Sequence, residues 1–268
     1  MEILTSFWMS AAAVFGFMTL AFVVALIKKD NSIVDVGWGL GFILVALVTF
    51  FARGDREPQQ ILVTVLVLIW GLRLATHVFL RNRGKGEDPR YKKWREEWGG
   101  NFVIRSYLQV FLLQGCLLLL VVLPVIIINS YPEGSAVWPG AIGAVIWVVG
   151  FLFEAVGDYQ LVRFVGDPQN RGKIMDRGLW RYTRHPNYFG EVTQWWGIFI
   201  IALATPYGWV GIIGPLVITA LILRVSGIPM LEERFAGNPE WEAYKKRTSV
   251  FIPWFPGPEP GHEGGDRA

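Results

Sequence analysis

The chain has 268 residues, of which 53% are hydrophobic and 18% are charged, and its formal net charge is +3. A charged fraction this far below the usual ~25%, with charge-free stretches of about 20 residues, excludes most soluble classes and predicts a polytopic membrane protein. The one cysteine, Cys116, excludes intrachain disulfides and thiolate metal clusters. The fold must therefore rest on helix packing alone.

Seven apolar stretches are candidates to cross ~30 Å of hydrocarbon, the shorter ones with help from adjoining residues, at about 1.5 Å per residue. They lie at about 7–27, 36–52, 60–80, 107–128, 136–156, 188–205 and 208–223. We therefore predict an all-α fold of seven transmembrane helices, with one domain over residues 1–255. A flexible tail rich in Pro and Gly is expected over 256–268.

Lysine and arginine lie mainly in alternate connections between these stretches. If all seven cross, 22 of the 25 cations fall on one side and two on the other, while Arg73 lies inside the third stretch. The positive-inside rule then predicts an external N-terminus and a cytoplasmic tail. The basic and aromatic run at 90–98 (RYKKWREEW) adjoins a predicted span, so membrane lipids, and not nucleic acid, are its expected partner.

Polar residues inside predicted spans are candidate functional residues, because their transfer into hydrocarbon is costly. In the N-terminal half, Asp35 precedes the second span, and Arg73 and His77 share a face of the third, one helical turn apart. A structural role is the alternative: near the end of their helix, both would extend to the interface or pair with Asp35 or Glu154. The glycines of 37–41 (GWGLG) have no preceding strand and predict close helix packing, not a dinucleotide-binding fingerprint.

The connection 157–187 is the most informative part of the sequence. It is long, carries six cations and leads into a sixth span that begins with polar residues. The cations suit a polyanionic ligand and the aromatic residues suit a flat ring. They are Arg163, Arg171, Lys173, Arg177, Arg181 and Arg184, with Trp180, Tyr182, His185 and Tyr188 as the ring-covering residues. Ordinary positive-inside topology is the alternative explanation of the charge.

The sixth span begins within RHPNYFGE, where Pro186 suits the first turn of a helix. Asn187 and Glu191 then project one turn apart from that first turn. A helix N-terminus that is entered through Arg184 and His185 is a natural anion-facing surface.

The stretch at 178–191 (GLWRYTRHPNYFGE) resembles the cofactor-binding motif of membrane steroid 5α-reductases, sterol C=C reductases and isoprenylcysteine carboxyl methyltransferases. A bacterial branch of steroid-reductase-like proteins shares the motif. The stretch at 231–255 (LEERFAGNPEWEAYKKRTSVFIPWF) is similar to the same set, so the resemblance covers about residues 154–255. It implies an integral protein, in a bacterial inner membrane or an ER-type membrane, with its cofactor site facing the cytoplasm. We expect a monomer.

The motif serves NADPH in the reductases and S-adenosylmethionine in the methyltransferases. Asp158, Gln160 and Phe164 resemble the reductase pattern D–x–Q–x–x–x–F followed by basic residues. The phosphates of NADPH require several cations, whereas S-adenosylmethionine is itself a cation. The resemblance thus implies NADPH-dependent reduction of the C=C bond of a 3-oxo-Δ4-steroid or a similar conjugated lipid ketone. The alternatives are S-adenosylmethionine-dependent methylation of a lipid or an isoprenylcysteine-type thiol, and a non-enzymatic lipid-binding protein.

The resemblance also implies roles for individual residues. Phosphates would be bound by Arg163, Arg171 and Lys173, and the pyrophosphate by Arg224. The nicotinamide and ribose would be held by Asp158, Asn187, Tyr188 and Glu191, and Trp180, Arg184 and His185 complete the predicted cofactor site. A family histidine and tyrosine are replaced by Ile228 and Glu232.

A reductase of this kind needs a proton donor, because hydride addition leaves negative charge on the substrate carbonyl oxygen. Steroid 5α-reductases use a Gln–Glu pair and a later tyrosine. Here Asp35 followed by Trp38 takes a comparable place to the pair, and the tyrosine position falls near Trp70. We predict a desolvated, protonated Asp35 as the donor, with His77 as the second candidate and Trp38 beside them. No metal ion is expected.

Overall fold

A computed structural model describes residues 3–54, 56–131 and 137–258. These residues form helices and no β-strand, with one isolated parallel bridge between Thr183 and Ser249. The all-α prediction is therefore confirmed for this part of the chain. The predicted flexible tail lies, from residue 259 onward, outside the described residues.

The described residues form helices over most of their length. In chain order these are α1 (Ile3–Lys28), α2 (Ile33–Ala52), α3 (Pro58–Asn82), α4 (Pro89–Trp98), α5 (Phe102–Ser106), α6 (Leu113–Val121), α7 (Leu123–Ser130), α8 (Val137–Gly166), α9 (Pro186–Ala202), α10 (Ile213–Ala220), α11 (Ile228–Glu233) and α12 (Pro239–Arg247). Two π-helical turns, Tyr107–Leu112 and Leu221–Val225, connect α5 to α6 and follow α10. Short 3-10 turns include Gly178–Arg181 and Gly208–Ile212.

Proline at the first helical position fixes several helix starts. It occupies that position in α3, α4, α9 and α12. Proline suits it because the first N–H of a helix has no intrahelical partner. A polar side chain caps three of these starts: Glu57 and Gln60 form a capping box at α3, Asp88 accepts from the backbone of α4, and Asn238 accepts from that of α12.

Within the described residues, six helical stretches are long and apolar enough to cross a membrane, which indicates an integral membrane protein. They are Ile3–Lys28, Ile33–Ala52, Pro58–Asn82, Pro89–Val121, Trp138–Gly166 and Gly208–Glu233. Each overlaps one of the predicted spans. The remaining predicted span, 188–205, corresponds to α9, which at 17 residues is shorter than these six.

The described chain divides into two compact units. The first comprises residues 1–143 and 198–217, and the second comprises 144–197 and 218–268. In the first unit α2 packs along α3, where a Cβ on Gly39 would lie 2.6 Å from the carbonyl oxygen of Gly71. The prediction of close helix packing at the GWGLG glycines is thereby confirmed, since only glycine allows this approach.

In the second unit α8 and α9 cross with their backbones in contact. A Cβ on Gly190 would lie 2.5 Å from the carbonyl oxygen of Gly150, and a Cβ on Gly150 would lie 2.6 Å from that of Gly190. Beside this crossing, Gln194 donates from Nε2 to Oε2 of Glu154 at 2.5 Å, with both side chains buried. The hydrogen bond satisfies polar groups that apolar surroundings would otherwise leave unsolvated.

Candidate functional site

Asp158 on α8 meets the first turn of α9. Asn187 donates from Nδ2 to Oδ1 of Asp158 at 3.0 Å, and its own Oδ1 accepts from the backbone N–H of Tyr188 at 3.0 Å. The approach is close because Gly157 lacks a side chain: a Cβ there would lie 3.2 Å from the backbone nitrogen of Asn187. The structure therefore brings together three of the residues that were predicted at the nicotinamide and ribose end.

The turn at 178–181 folds back onto α8. Gln160 accepts from the backbone N–H of Leu179 at 3.0 Å, and the indole N–H of Trp180 donates to the carbonyl oxygen of Gly157 at 3.0 Å. Gly178 has φ +61°, and a Cβ there would collide with the Gln160 amide. Trp180 is thus buried against α8, and its polar atom is committed to the protein scaffold.

Arg184 and His185 both bind Glu232. Arg184 donates from Nε, and His185 contacts from Nε2, to the same Oε1 of Glu232, each at 3.0 Å. Arg184 also donates to the carbonyl oxygens of Lys245 at 3.2 Å and Thr248 at 3.4 Å. Burial lowers the pKa of His185, which is only 1% exposed, and the hydrogen bond with Glu232 opposes that shift.

The sequence did not predict that Glu232 binds Arg184 and His185. Its position was recognised only as the loss of a family tyrosine. The available signal was charge, because a carboxylate replaces a neutral residue in a chain with two basic groups in its RHP motif. Arg184 and His185, both predicted as cofactor ligands, are in this structure bound within the protein, to α11 and to the end of α12.

The remaining predicted phosphate ligands are exposed. Arg163, on the last turns of α8, donates to the hydroxyl of Tyr159 at 3.0 Å. Arg171 and Lys173 lie in the connection after α8, and Arg224 lies in the π-helical turn Leu221–Val225. Exposed guanidinium and ammonium groups remain available to an anionic ligand from solvent.

Lys173 lines a cavity of about 320 Å³ in the second unit. Its other lining residues include Phe164, Asp176, Arg177, Tyr244 and Arg247. Arg247 forms an ion pair with Asp176, and the hydroxyl of Tyr244 donates to the carbonyl oxygen of Trp180. The cavity thus groups Arg177 and Arg247 with Lys173. Arg177 is among the cations that were predicted to suit a polyanionic ligand, whereas Arg247 was missed.

Tyr188 and Glu191, also predicted to hold the nicotinamide and ribose, lie on the first turns of α9. Both are half-buried. The ring of Tyr188 stacks on that of His185, with centroids 5.6 Å apart and an interplanar angle of 18°. The aromatic ring that was predicted to cover a ligand is therefore supported from behind by the imidazole that Glu232 orients.

Asp35 belongs to a polar cluster in the first unit. Its Oδ2 accepts from Nη2 of Arg90 at 3.1 Å, and its Oδ1 accepts from the hydroxyl of Tyr91 at 2.7 Å. Asp88 accepts from Nε of Arg90 at 2.9 Å. Arg90 and Tyr91 were assigned to lipid contacts from the sequence. The structure shows that these first-turn residues of α4 face α2.

The other predicted catalytic residues lie on α2 and α3. Trp38 stands one turn after Asp35, and its ring meets Phe42 edge to face at 5.2 Å, as Phe42 meets Trp70. Arg73 and His77 are half-buried and one turn apart on α3. Among the described residues, no group of three His, Cys, Asp or Glu side chains is placed to hold a metal ion.

These features define the class as a polytopic α-helical membrane protein with a polar site where α8 meets the start of α9. The chain belongs to the family described as "Protein of unknown function (DUF1295)", whose model matches residues 21–248. Neither a curated protein nor a solved structure matches the chain significantly. The description of this family gives no activity.

Proposed function

We propose that the protein reduces a C=C bond conjugated to a ketone in a flat lipid, such as a 3-oxo-Δ4-steroid, with NADPH as the hydride source. The observation that carries the proposal is the Asn187–Asp158 hydrogen bond at the start of α9, within the motif that resembles the reductases. An amide and a carboxylate held at one place offer both donors and acceptors to a carboxamide and to ribose hydroxyls.

The proposed topology has seven spans, with the N-terminus outside. At about 1.5 Å per residue, the 17 residues of α9 extend about 26 Å, a few ångströms short of the hydrocarbon thickness. The turn at 203–205, in which Leu203 is exposed and Thr205 is buried, adjoins the helix and would complete the crossing. This topology puts the basic connection 157–187 in the cytoplasm, where NADPH is found. The membrane is a bacterial inner membrane or an ER-type membrane.

The chemistry of the side chains fits this cofactor in part. Asp158, Asn187, Tyr188 and Glu191 would hold the nicotinamide and ribose. The exposed cations Arg163, Arg171, Lys173 and Arg224 would bind phosphate oxygens. Arg184, His185 and Trp180 act behind them, since Glu232 and the carbonyl oxygen of Gly157 already occupy their polar atoms. They are positioning residues in this proposal.

Bound NADPH would supply a hydride to the β-carbon of the substrate. The electron pair of the C=C bond would move onto the carbonyl oxygen, where a donor would stabilise the charge, and a proton from water would then add to the α-carbon to complete the reduction. We propose Asp35 as the donor to the carbonyl oxygen, with His77 as the second candidate. In the structure both carboxylate oxygens of Asp35 accept hydrogen bonds, from Tyr91 and Arg90, so the proton that the proposal requires is the one between Asp35 and the hydroxyl of Tyr91.

Thermal-shift titration of the detergent-purified protein tests the proposal. NADPH should raise the unfolding temperature with the logarithm of its concentration, equivalent to about 2.7 kcal/mol at a hundredfold excess over Kd. NADH should stabilise less, because it lacks the 2′-phosphate. Asn187→Ala should remove the effect, whereas Gln169→Ala, at an exposed polar position of the same connection, should retain it. Stabilisation by S-adenosylmethionine and none by NADPH would replace the reductase proposal with the methyltransferase.

A further inference from the structure

Residues 249–256 (SVFIPWFP), near the end of the described residues, are uncharged and rich in exposed aromatic side chains. We call them the C-terminal aromatic segment. Ile252 is 65% exposed, Trp254 is 70% exposed and Phe255 is 81% exposed. Contiguous large apolar side chains on a surface indicate a partner that removes them from water.

The exposure does not arise from a frayed end, because three hydrogen bonds tie the backbone of the segment to residues 182–184 and a fourth holds Gly257, directly after it. The bonds are Arg184 N–H to Ser249 O at 2.8 Å, Thr183 Oγ1 to Phe251 O at 2.8 Å, Trp254 N–H to Tyr182 O at 2.9 Å and Gly257 N–H to Arg247 O at 2.8 Å. Phe251 points inward and meets Phe189 edge to face at 5.7 Å. The outward direction of Ile252, Trp254 and Phe255 is therefore fixed by the fold.

The segment is also fixed at the level of the start of α9. Thr183, which bridges to Ser249, stands three residues before Pro186, the first residue of α9. At about 3.3 Å per residue, the bridge lies within about 10 Å of the end of an apolar helix. That distance is comparable to the depth of the interfacial layer between hydrocarbon and water, where tryptophan and other aromatic residues concentrate.

Charge next to the segment points to the same partner. Lys246 on α12 and Arg181 beside Tyr182 are exposed cations, and the segment itself has none. Cations next to an aromatic run match the arrangement of a bilayer surface, in which phosphates lie directly outside the acyl chains.

We infer that the C-terminal aromatic segment is a lipid-binding anchor: Trp254 and Phe255 insert at the boundary of the acyl chains, and the adjacent cations contact lipid phosphates. The partner is the membrane surface next to the start of α9. The anchor would hold residues 182–184 at that surface through their three hydrogen bonds to the segment. This inference does not depend on the proposed reductase activity.

Spin labelling in lipid nanodiscs tests the anchor directly. A nitroxide is attached at Trp254→Cys in a Cys116→Ser background, and its collisions with oxygen and with a water-soluble nickel chelate are compared. The disc contains phosphatidylcholine and phosphatidylglycerol. We expect oxygen collisions to exceed nickel collisions several-fold. A matched label at Gln169→Cys, an exposed polar site in the same unit, should show the reverse.

Two outcomes would overturn the inference. Nickel collisions at residue 254 equal to those at residue 169 would place the segment in water. Low collision rates with both reagents would show that protein covers it, as in a dimer. Labels at Ile252→Cys and Phe255→Cys repeat the measurement, so that poor folding of one variant leaves the question answerable.

Discussion

Replacing Gly190 with alanine should separate α8 from α9. The new Cβ would lie 2.5 Å from the carbonyl oxygen of Gly150, about 0.9 Å short of the 3.4 Å at which ordinary contact begins. The obstacle is backbone, so the helices and not a side chain must move. Overpacking usually costs about 1–3 kcal/mol, and this rigid contact should lie at the upper end, at about 2–3 kcal/mol.

The same displacement should weaken the polar site next to the crossing. An added 0.9 Å or so would lengthen the Asn187–Asp158 hydrogen bond from 3.0 Å to beyond hydrogen-bonding range. We expect Gly190→Ala to lower Tm by about 4–12 °C, taking about 2–4 °C per kcal/mol. Tryptophan fluorescence in mild detergent at one fixed scan rate measures the change. NADPH should also stabilise this variant less than wild type.

A matched control separates this contact from a general effect of adding a methyl group. Gly16 lies within α1, and a Cβ there would meet nothing within 4 Å. Gly16→Ala should therefore keep or slightly raise Tm, because alanine favours the helix. Equal Tm values for the two variants would refute backbone contact between α8 and α9.

Three further predictions concern single side chains. Asn187→Ala and Glu191→Ala should abolish turnover while leaving a folded, extractable protein; loss of extractable protein would favour a structural role. Asp35→Ala should slow single-turnover hydride transfer by about 10²–10³, with Asp35→Asn intermediate and NADPH affinity unchanged. If His77→Ala is impaired and Asp35→Ala is not, the donor is His77. Burial lowers the pKa of His185 below its ordinary 6.5, so the unfolded chain gains a proton there first. The free energy of unfolding should therefore be highest above about pH 6.5, the ordinary pKa of histidine, and should decrease as the pH falls below it, by at most about 1.4 kcal/mol per pH unit. Chemical unfolding at several pH values measures this dependence, and His185→Gln should make it weaker.

Local patterns were enough to predict the helices and one part of the site. Hydropathy marks helices of 20 residues or more, and the six stretches able to span follow it. The glycines of GWGLG predicted close packing because small residues have that role wherever they recur on an apolar helix. Asp158 and Asn187 were grouped by resemblance, and they are joined in the structure.

Pairings between distant residues were beyond the reach of the sequence. Asp35 and Tyr91 are 56 positions apart, and no periodicity connects the start of one helix to the start of another two helices later. Arg184 and Glu232 are 48 positions apart. In both cases the charge pattern was visible, but positive-inside topology explained the cations equally well, and only the folded backbone selects the partner.

A single oxygen of Glu232 binds both Arg184 and His185. Substitutions at position 232 and at the adjacent positions 184 and 185 are therefore coupled in evolution. A change at any one of them leaves a charge or a polar atom uncompensated in its neighbours. Relatives that restore a neutral residue at 232 should also have changed at 184 or 185, and an intermediate ancestor with only one change would be selected against. A mutational scan of the RHP motif alone would therefore assign to ligand binding a loss that a compensating change at 232 can rescue.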